Sequence, residues 1–338
     1  NIIPNYANYP YYTMIYSWHT AQWQQITSHW AKQPNAWLFT GKEHTGKTAF
    51  ARHVANALLC EQPSTEHEPC GQCPSCHLFT QNSHPDLYEL TPEIPEGEVV
   101  GRKLLQIKID TVRALIGDIY LSSVRGGRRV VLVHPAESMN TQAANGLLKV
   151  LEEPPADVIF LLVTHSRDKL LPTIKSRCRQ MVLPAPSYED ALGYLKQQHT
   201  EQAESLLAFH GGAPLFEHDP AQDSMRNELT ELLANPRLLS ILDYATAFDK
   251  QKWPLAVLLD WLHKWLFDIT LSQQKIAPLY YPNSRNDLNT IAAKTEPATL
   301  FALTDTLKQL TPYGHHTLSV KLHTESLLID YLNFWQRK

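Results

Sequence analysis

The chain has no excess of positive charge. Its 30 Lys and Arg are outnumbered by 34 Asp and Glu, for a formal net charge of −4 with His neutral. A free-standing nucleic-acid-binding domain is usually basic, so any contact with phosphate backbones needs a local patch or charge supplied by a partner. Long apolar runs are also missing. The two longest strongly apolar stretches are Val158 to Val163, which is strand-sized, and Trp253 to Leu271, which Asp260, His263, Lys264 and Asp268 interrupt. A membrane helix needs about 20 apolar residues, so no membrane is expected. No basic, then apolar, then small-residue leader opens the chain, and a cytoplasmic location is the expectation. Cysteine is scarce. There are five, an odd number, with four inside seventeen residues. In a cytosolic chain that pattern suggests a metal rather than a disulfide framework. Internal repeats and low-complexity tracts are absent. Apolar matter is plentiful: 43% hydrophobic residues with eight Trp exclude a disordered chain.

At roughly 150 residues per domain, 338 residues suggest two domains or a little more. Residues 1–17 are read as an N-terminal extension, since 1–13 are rich in Asn, Pro and Tyr and show no period. Strands and helices then alternate from Trp18 to Pro184. The apolar runs Ala36 to Thr40, Asp86 to Leu90, Val130 to Val133 and Val158 to Val163 predict strands. Between them, helices are predicted over Thr48 to Leu59, Ile109 to Tyr120 and Thr141 to Glu153, where Pro154-Pro155 stops the last. Continuously apolar strands separated by helices predict an α/β module, a parallel sheet covered on both faces. After Leu183-Pro184-Ala185-Pro186, a helix capped by Ser187 and a second over Gln202 to His210 suggest a small helical lid over 185–222. The rest, 223–338, shows helical spacing only, as in Leu255, Leu258, Leu259, Leu262, Leu266 and Ile269, in Leu300 to Leu310 and in Leu318 to Trp335. It is read as an all-helical C-terminal domain.

Gly41-Lys42-Glu43-His44-Thr45-Gly46-Lys47-Thr48 matches the phosphate-loop pattern G-x-x-x-x-G-K-[ST] between a predicted strand and a predicted helix. Gly41 and Gly46 let backbone N–H groups curl around phosphate oxygens, Lys47 reaches the terminal phosphates, and Thr48 suits Mg²⁺. ATP or ADP with Mg²⁺ is the corresponding ligand expectation. Hydrolysis asks for more, an acidic residue at the end of a later strand. After Val130 to Val133 the sequence offers His134 and Pro135, and Glu137 falls two to three residues late, across a turn. Imidazole does not replace carboxylate on a hard cation. Hydrolysis is therefore expected to be lost or very slow, with room left for weak nucleotide binding.

Cys60-x9-Cys70-x2-Cys73-x2-Cys76 supplies four thiolates. A closed four-sulfur set fits structural Zn²⁺; an iron–sulfur cluster is the chemical alternative. The simplest role is to pin the inserted loop 60–76. A nucleic-acid contact is the sharper alternative, and Glu61, Glu66 and Glu68 oppose it. Arg125, Arg128 and Arg129 flank Gly126-Gly127, which reads as a solvated loop rather than a DNA contact.

The phosphate loop, the four-cysteine insert, the run from Asn145 through Lys149 to Pro155 and Ser176-Arg177-Cys178 together resemble the bacterial clamp-loader subunits of the AAA+ class. Within that class, Leu58-Leu59-Cys60-Glu-Gln-Pro63, His84-Pro85-Asp86 and the degraded acid site at His134-Pro135 are similar to the delta-prime branch of DNA polymerase III subunits. The resemblance implies an AAA+ module, a helical lid and a collar domain for oligomerisation. It implies a non-motor member of a hetero-pentamer with gamma/tau and delta subunits, which loads a sliding clamp on primed DNA. It gives Arg177 the role of a finger reaching into a neighbour's ATP site. It explains the stretch Gly212-Ala213-Pro214-Leu215, where motor subunits carry an Arg and this chain has no cation. Thr164 lies at the family's polar sensor position, and a local hydrogen bond is its plainer reading. Two other functions stay open: an active AAA+ motor ATPase, on the strength of Gly41 to Thr48, and a zinc-bearing nucleic-acid-binding module that works alone.

Overall fold

A computed structural model describes residues 15–92, 105–315 and 319–336. Most of the expected extension, and Leu318 at the start of the last predicted helix, lie outside the described residues. The first part of the chain contains α1 (Thr20–Thr27), β1 (Ala36–Thr40), α2 (Lys47–Leu59), α3 (Pro74–Thr80), β2 (Leu87–Leu90), α4 (Ile109–Ile119), β3 (Arg129–Val133), α5 (Thr141–Glu152), β4 (Val158–Thr164), α6 (Pro172–Arg177) and β5 (Arg179–Val182). The strands form one parallel sheet in the order β2-β3-β4-β1-β5. Every residue of β1, β3 and β4 is buried, because both faces are covered. Alternate side chains serve the two faces. Leu38, Val131, Val133, Phe160 and Leu162 pack with α4 and α5. Trp37, Phe39, Leu132, Leu161 and Val163 pack with α2 on the other side. The parallel sheet with helices on both faces is the α/β module expected from the sequence.

β5 is absent from the expected strands. Its four residues, Arg179-Gln180-Met181-Val182, are too short and too polar to stand out, and three of them are exposed at the sheet edge. The expectation for the Gly126-Gly127 turn needs one correction. Arg129 is not solvated but 8% exposed, and its guanidinium donates to the carbonyls of Ile119, Leu121 and Ala156. Asp86 holds the other side of this turn, accepting from Ser123 Oγ and from the amides of Val124 and Arg125 at 2.8–3.0 Å.

Beyond the sheet come α7 (Tyr188–Gln197) and α8 (Ala203–Phe209), which share a small apolar cluster of Ala191, Leu195, Leu206, Leu207 and Phe216. Six further helices follow: α9 (Pro220–Ala234), α10 (Leu238–Lys250), α11 (Leu255–Gln273), α12 (Arg285–Lys294), α13 (Pro297–Leu310) and α14 (Val320–Gln336). α9 begins at Pro220, with Asp219 capping the amides of Ala221 and Gln222. These helices enclose a separate core around Trp261, Trp265, Leu258 and Leu328. Phe209 joins α8 to that core. Its ring lies under the Arg226 guanidinium at 3.9 Å and the Lys264 ammonium at 4.0 Å.

Candidate functional site

β1 ends at Thr40 between β4 and the edge strand β5, and the phosphate loop leaves from the C-terminal edge of the sheet, where open α/β sheets place ligands. Gly41 passes so close to the Leu183 carbonyl oxygen that a Cβ would collide with it. Gly46 has φ +93°, a left-handed conformation that suits glycine. Phe50 N–H donates to the Gly46 carbonyl and starts α2, so the helix N-terminus faces the loop. Lys47 is 2% exposed, and its Nζ donates to the Lys42 carbonyl across the loop. Burial lowers its pKa from 10.5 to about 8, against the opposing pull of Glu43 and Glu137. Thr48 stands half-buried in the first turn of α2.

The outer rim of the loop is covered. Trp18 Nε1 donates to the Thr45 carbonyl at 2.9 Å. Tyr16 stacks on Trp18 with ring centroids 4.7 Å apart, and Tyr194 of α7 meets both edge-on. From the opposite side, Leu215 N–H donates to the His44 carbonyl at 3.0 Å, and Lys42 Nζ donates to the Gly211 carbonyl. The stretch from Gly211 to Leu215 thus meets the loop through backbone groups. The sequence reading set aside residues 1–17, but Tyr16 is 6% exposed and belongs to this site. It follows the aperiodic Asn-, Pro- and Tyr-rich stretch 1–13 and was set aside with it.

At the end of β3, His134 is 2% exposed. Its Nε2 lies 3.8 Å from a Glu89 carboxylate oxygen, and the other Glu89 oxygen pairs with Arg52 of α2. Burial pushes the Glu89 carboxyl up, but His134 and Arg52 outweigh it and hold the group below its ordinary pKa. The Glu89 carboxylate beside His134 is therefore already engaged by the Arg52 cation. Glu137, two to three residues late and across a turn, reaches back toward the loop: its Oε1 accepts from the amide of His165, just past β4, at 2.8 Å, and its charge acts on Lys47. Thr164 is fully buried, and its Oγ1 accepts locally from Ser166 N at 3.1 Å. Glu89 was not singled out from sequence, since nothing local in Leu87-Tyr88-Glu89-Leu90 marks it.

The four expected cysteines come together. One sulfur from each of Cys60, Cys70, Cys73 and Cys76 lies within 4.8 Å of all the others. Cys60 and Cys73 are 3.9 Å apart, Cys70 and Cys76 4.0 Å. Bonds of about 2.3 Å to a tetrahedral zinc imply sulfur separations of about 3.8 Å, so the set fits the ion. Amides point at the sulfurs: Cys70 N–H at Cys60, Cys73 N–H at Cys70 and Cys76 N–H at Cys73, at 3.3–3.4 Å. N–H donation from Gln72 and Cys73 lowers the Cys70 thiol to about 6, while burial raises Cys60 and Cys76. Glu61, next to Cys60, accepts from Ser75 Oγ at 2.8 Å and pairs with Arg125. His67 stacks on Trp30 at 4.7 Å, and His77 is exposed.

Arg177 ends α6 and is about a third exposed. Its Nη2 pairs with Glu152 at the end of α5, and Nη1 donates to the Thr173 carbonyl at 2.9 Å. Cys178 is buried, and burial raises its thiol to about 12, which fits a packing role.

A family model described as DNA polymerase III, delta subunit matches residues 18–187. A protein of Pseudomonas aeruginosa named DNA polymerase III subunit delta' is 37% identical over 262 residues, 75% of this chain and 77% of that one. Its Yersinia pestis namesake is 31% identical over 342 residues, 95% of each chain. This chain belongs to the delta-prime family of DNA polymerase III subunits. A protein of Escherichia coli named DNA polymerase III subunit tau is 36% identical over 181 residues, 52% of this chain and 26% of that protein. The likeness to a tau subunit thus covers about half of this chain, whereas the delta-prime likeness runs nearly end to end. Among the described residues, no helix is long and apolar enough to cross a membrane.

Proposed function

We propose that this delta-prime family chain is a non-motor subunit of a clamp loader. In this reading it sits in a hetero-pentamer with gamma/tau and delta subunits and helps load the sliding clamp on primed DNA in the cytoplasm. The observation that carries the reading is the state of the acid position: His134 stands at the end of β3, and Glu89 is engaged by Arg52 and His134. The end of β3 thus carries an imidazole where hydrolysis asks for a carboxylate to hold Mg²⁺. ATP or ADP would rest on Gly41, Gly46, Lys47 and Thr48 without turnover. Arg177 would leave its own module to contact the γ-phosphate bound by an adjacent motor subunit, where a guanidinium stabilises transition-state charge. Zn²⁺ on Cys60, Cys70, Cys73 and Cys76 would be structural, since four sulfurs leave no open position. The chain would divide into a module over 18–184, a lid over 185–222 and a collar over 223–338. The chain has the net charge of a subunit that meets DNA within an assembly rather than alone.

The intact phosphate loop favours a second reading, an active motor ATPase. The experiment is to reconstitute the assembly from purified subunits and measure ATP turnover with primed DNA and clamp. The first reading expects no turnover by this chain alone, stable co-elution with gamma/tau and delta, and a fall in assembly turnover with Arg177→Ala. Robust turnover by the isolated chain, abolished by Lys47→Ala, establishes the second reading instead.

A further inference from the structure

Arg177 does not point its hydrogen-bonding fork at solvent. One terminal nitrogen is in the ion pair with Glu152; the other donates to the Thr173 carbonyl at 2.9 Å and reaches Ser176 Oγ at 3.4 Å. Its Nε is buried without a partner. Both nitrogens that would grip a phosphate are therefore turned back onto the chain's own α5 and α6. Glu152 is the last residue of α5, half exposed, and Pro154 prevents the helix from continuing. A carboxylate at a helix C-terminus faces the negative end of the helix dipole. Glu152 thus gains nothing from its own helix, and its one strong contact among the described residues is the Arg177 guanidinium.

We propose that Glu152 is a positioning residue that stows Arg177 against its own module and releases it when a neighbouring triphosphate competes for the same N–H fork. This rests on the reading of Arg177 as a finger. Charge favours the competitor: a γ-phosphate carries more negative charge than a carboxylate and presents three oxygens. The release is cheap, because an exposed ion pair contributes little net stability. The neighbour's reaction, ATP and water giving ADP and phosphate, is unchanged in kind. Glu152 sets how often the finger is available for it. The stow therefore suppresses turnover in an assembly whose interfaces are not yet closed around primed DNA.

The test uses the reconstituted clamp loader with wild-type chain, Glu152→Gln, Arg177→Ala and the double variant. ATP turnover is measured with and without primed DNA and clamp. Glu152→Gln is expected to raise the DNA-independent kcat up to about fivefold, the ceiling set by an exposed ion pair. The KM for ATP and the DNA-stimulated rate stay the same, and the double variant matches Arg177→Ala. The melting temperature of Glu152→Gln, which loses only a surface pair, is unchanged. If Arg177→Ala lowers the stimulated rate while Glu152→Gln leaves the basal rate alone, the stow is wrong and the finger stands. If Glu152→Gln falls to the Arg177→Ala level, Glu152 orients the finger and the proposal is overturned. If Arg177→Ala changes nothing, the finger reading fails and the stow fails with it.

Discussion

Replacing Gly46 with Ala tests whether the phosphate loop is built into the fold as described. A Cβ at Gly46 lies 2.6 Å from two carbons of the Tyr16 ring and 3.2 Å from Leu215 Cδ1. The ring must move, and Tyr16 is too buried to move alone. Three costs follow. The left-handed backbone costs an L-residue about 1–2 kcal/mol. Displacing Tyr16 weakens its stack on Trp18, worth about 0.5–1.5 kcal/mol beyond buried area. Moving Trp18 strains its bond to the Thr45 carbonyl, worth about 0.5–1.5 kcal/mol. Together they come to about 3 kcal/mol. For a module of this size 1 kcal/mol shifts Tm by about 2–4 °C, so Gly46→Ala lowers it by roughly 6–12 °C.

Two neighbouring glycines supply the controls. Gly126 has φ +75° with nothing near a Cβ, so Ala there carries the backbone cost alone. That is about 1–2 kcal/mol. Gly127 has neither a positive φ nor a close neighbour, so Ala there is neutral, or stabilises by up to about 1 kcal/mol through the unfolded chain. Thermal denaturation followed by circular dichroism should rank Gly46→Ala well below Gly126→Ala, and Gly126→Ala below Gly127→Ala. Equal melting of the Gly46 and Gly126 variants would refute the claim that Tyr16 closes the loop.

Native mass spectrometry should find one Zn²⁺ per chain, lost in Cys76→Ser together with protection of loop 60–76 against proteolysis; retention of the metal by that variant would remove Cys76 from the ligand set. Burial lowers the pKa of His19 from 6.5 to about 4. The unfolded chain therefore takes up its proton first as pH falls, and stability drops by about 3 kcal/mol between pH 6.5 and 4. His19→Gln should flatten that part of the urea-unfolding profile, and an unchanged slope would count against it. Arg129→Met leaves the carbonyls of Ile119, Leu121 and Ala156 without their donor; only the bond to Ile119 is fully buried, so at about 1–3 kcal/mol for a buried group left bare the loss should be about 1–3 kcal/mol in the same assay.

The parts of the site legible in sequence are those whose chemistry is packed into a few consecutive residues. Gly41 to Thr48 carries its own spacing, and Cys70-x2-Cys73-x2-Cys76 carries its own geometry. Cys60, nine intervening residues before Cys70, joins them as the fourth thiolate of the cluster. The parts that stayed hidden depend on partners distant in sequence. Arg177 meets Glu152 from 25 residues away, Arg52 meets Glu89 from 37, and His19 meets the Pro184 carbonyl from 165. Arg129 read as solvated because its neighbours Arg128 and Gly127 are polar loop residues. Its burial is decided by carbonyls at the ends of α4 and before β4. The continuous apolar strands announced themselves, whereas β5 did not, because an edge strand buries only Met181.

The intact phosphate motif beside a missing acid site looks contradictory only if the motif is taken as a mark of hydrolysis. Three of its four fixed residues have work in this fold without a nucleotide. Gly41 permits the approach of the Leu183 carbonyl, Gly46 leaves space for Tyr16, and Lys47 bridges the loop to the Lys42 carbonyl. These contacts tie the loop to the N-terminal aromatic pair on one side and to residues 211–215 on the other. Substituting any of the three disturbs packing, not only phosphate binding. At His134, which is 2% exposed, a carboxylate would place a buried negative charge beside Glu89, which Arg52 already neutralises. Such a charge needs a compensating cation to be tolerated. The loop therefore has structural reasons to persist that do not depend on what stands at the end of β3.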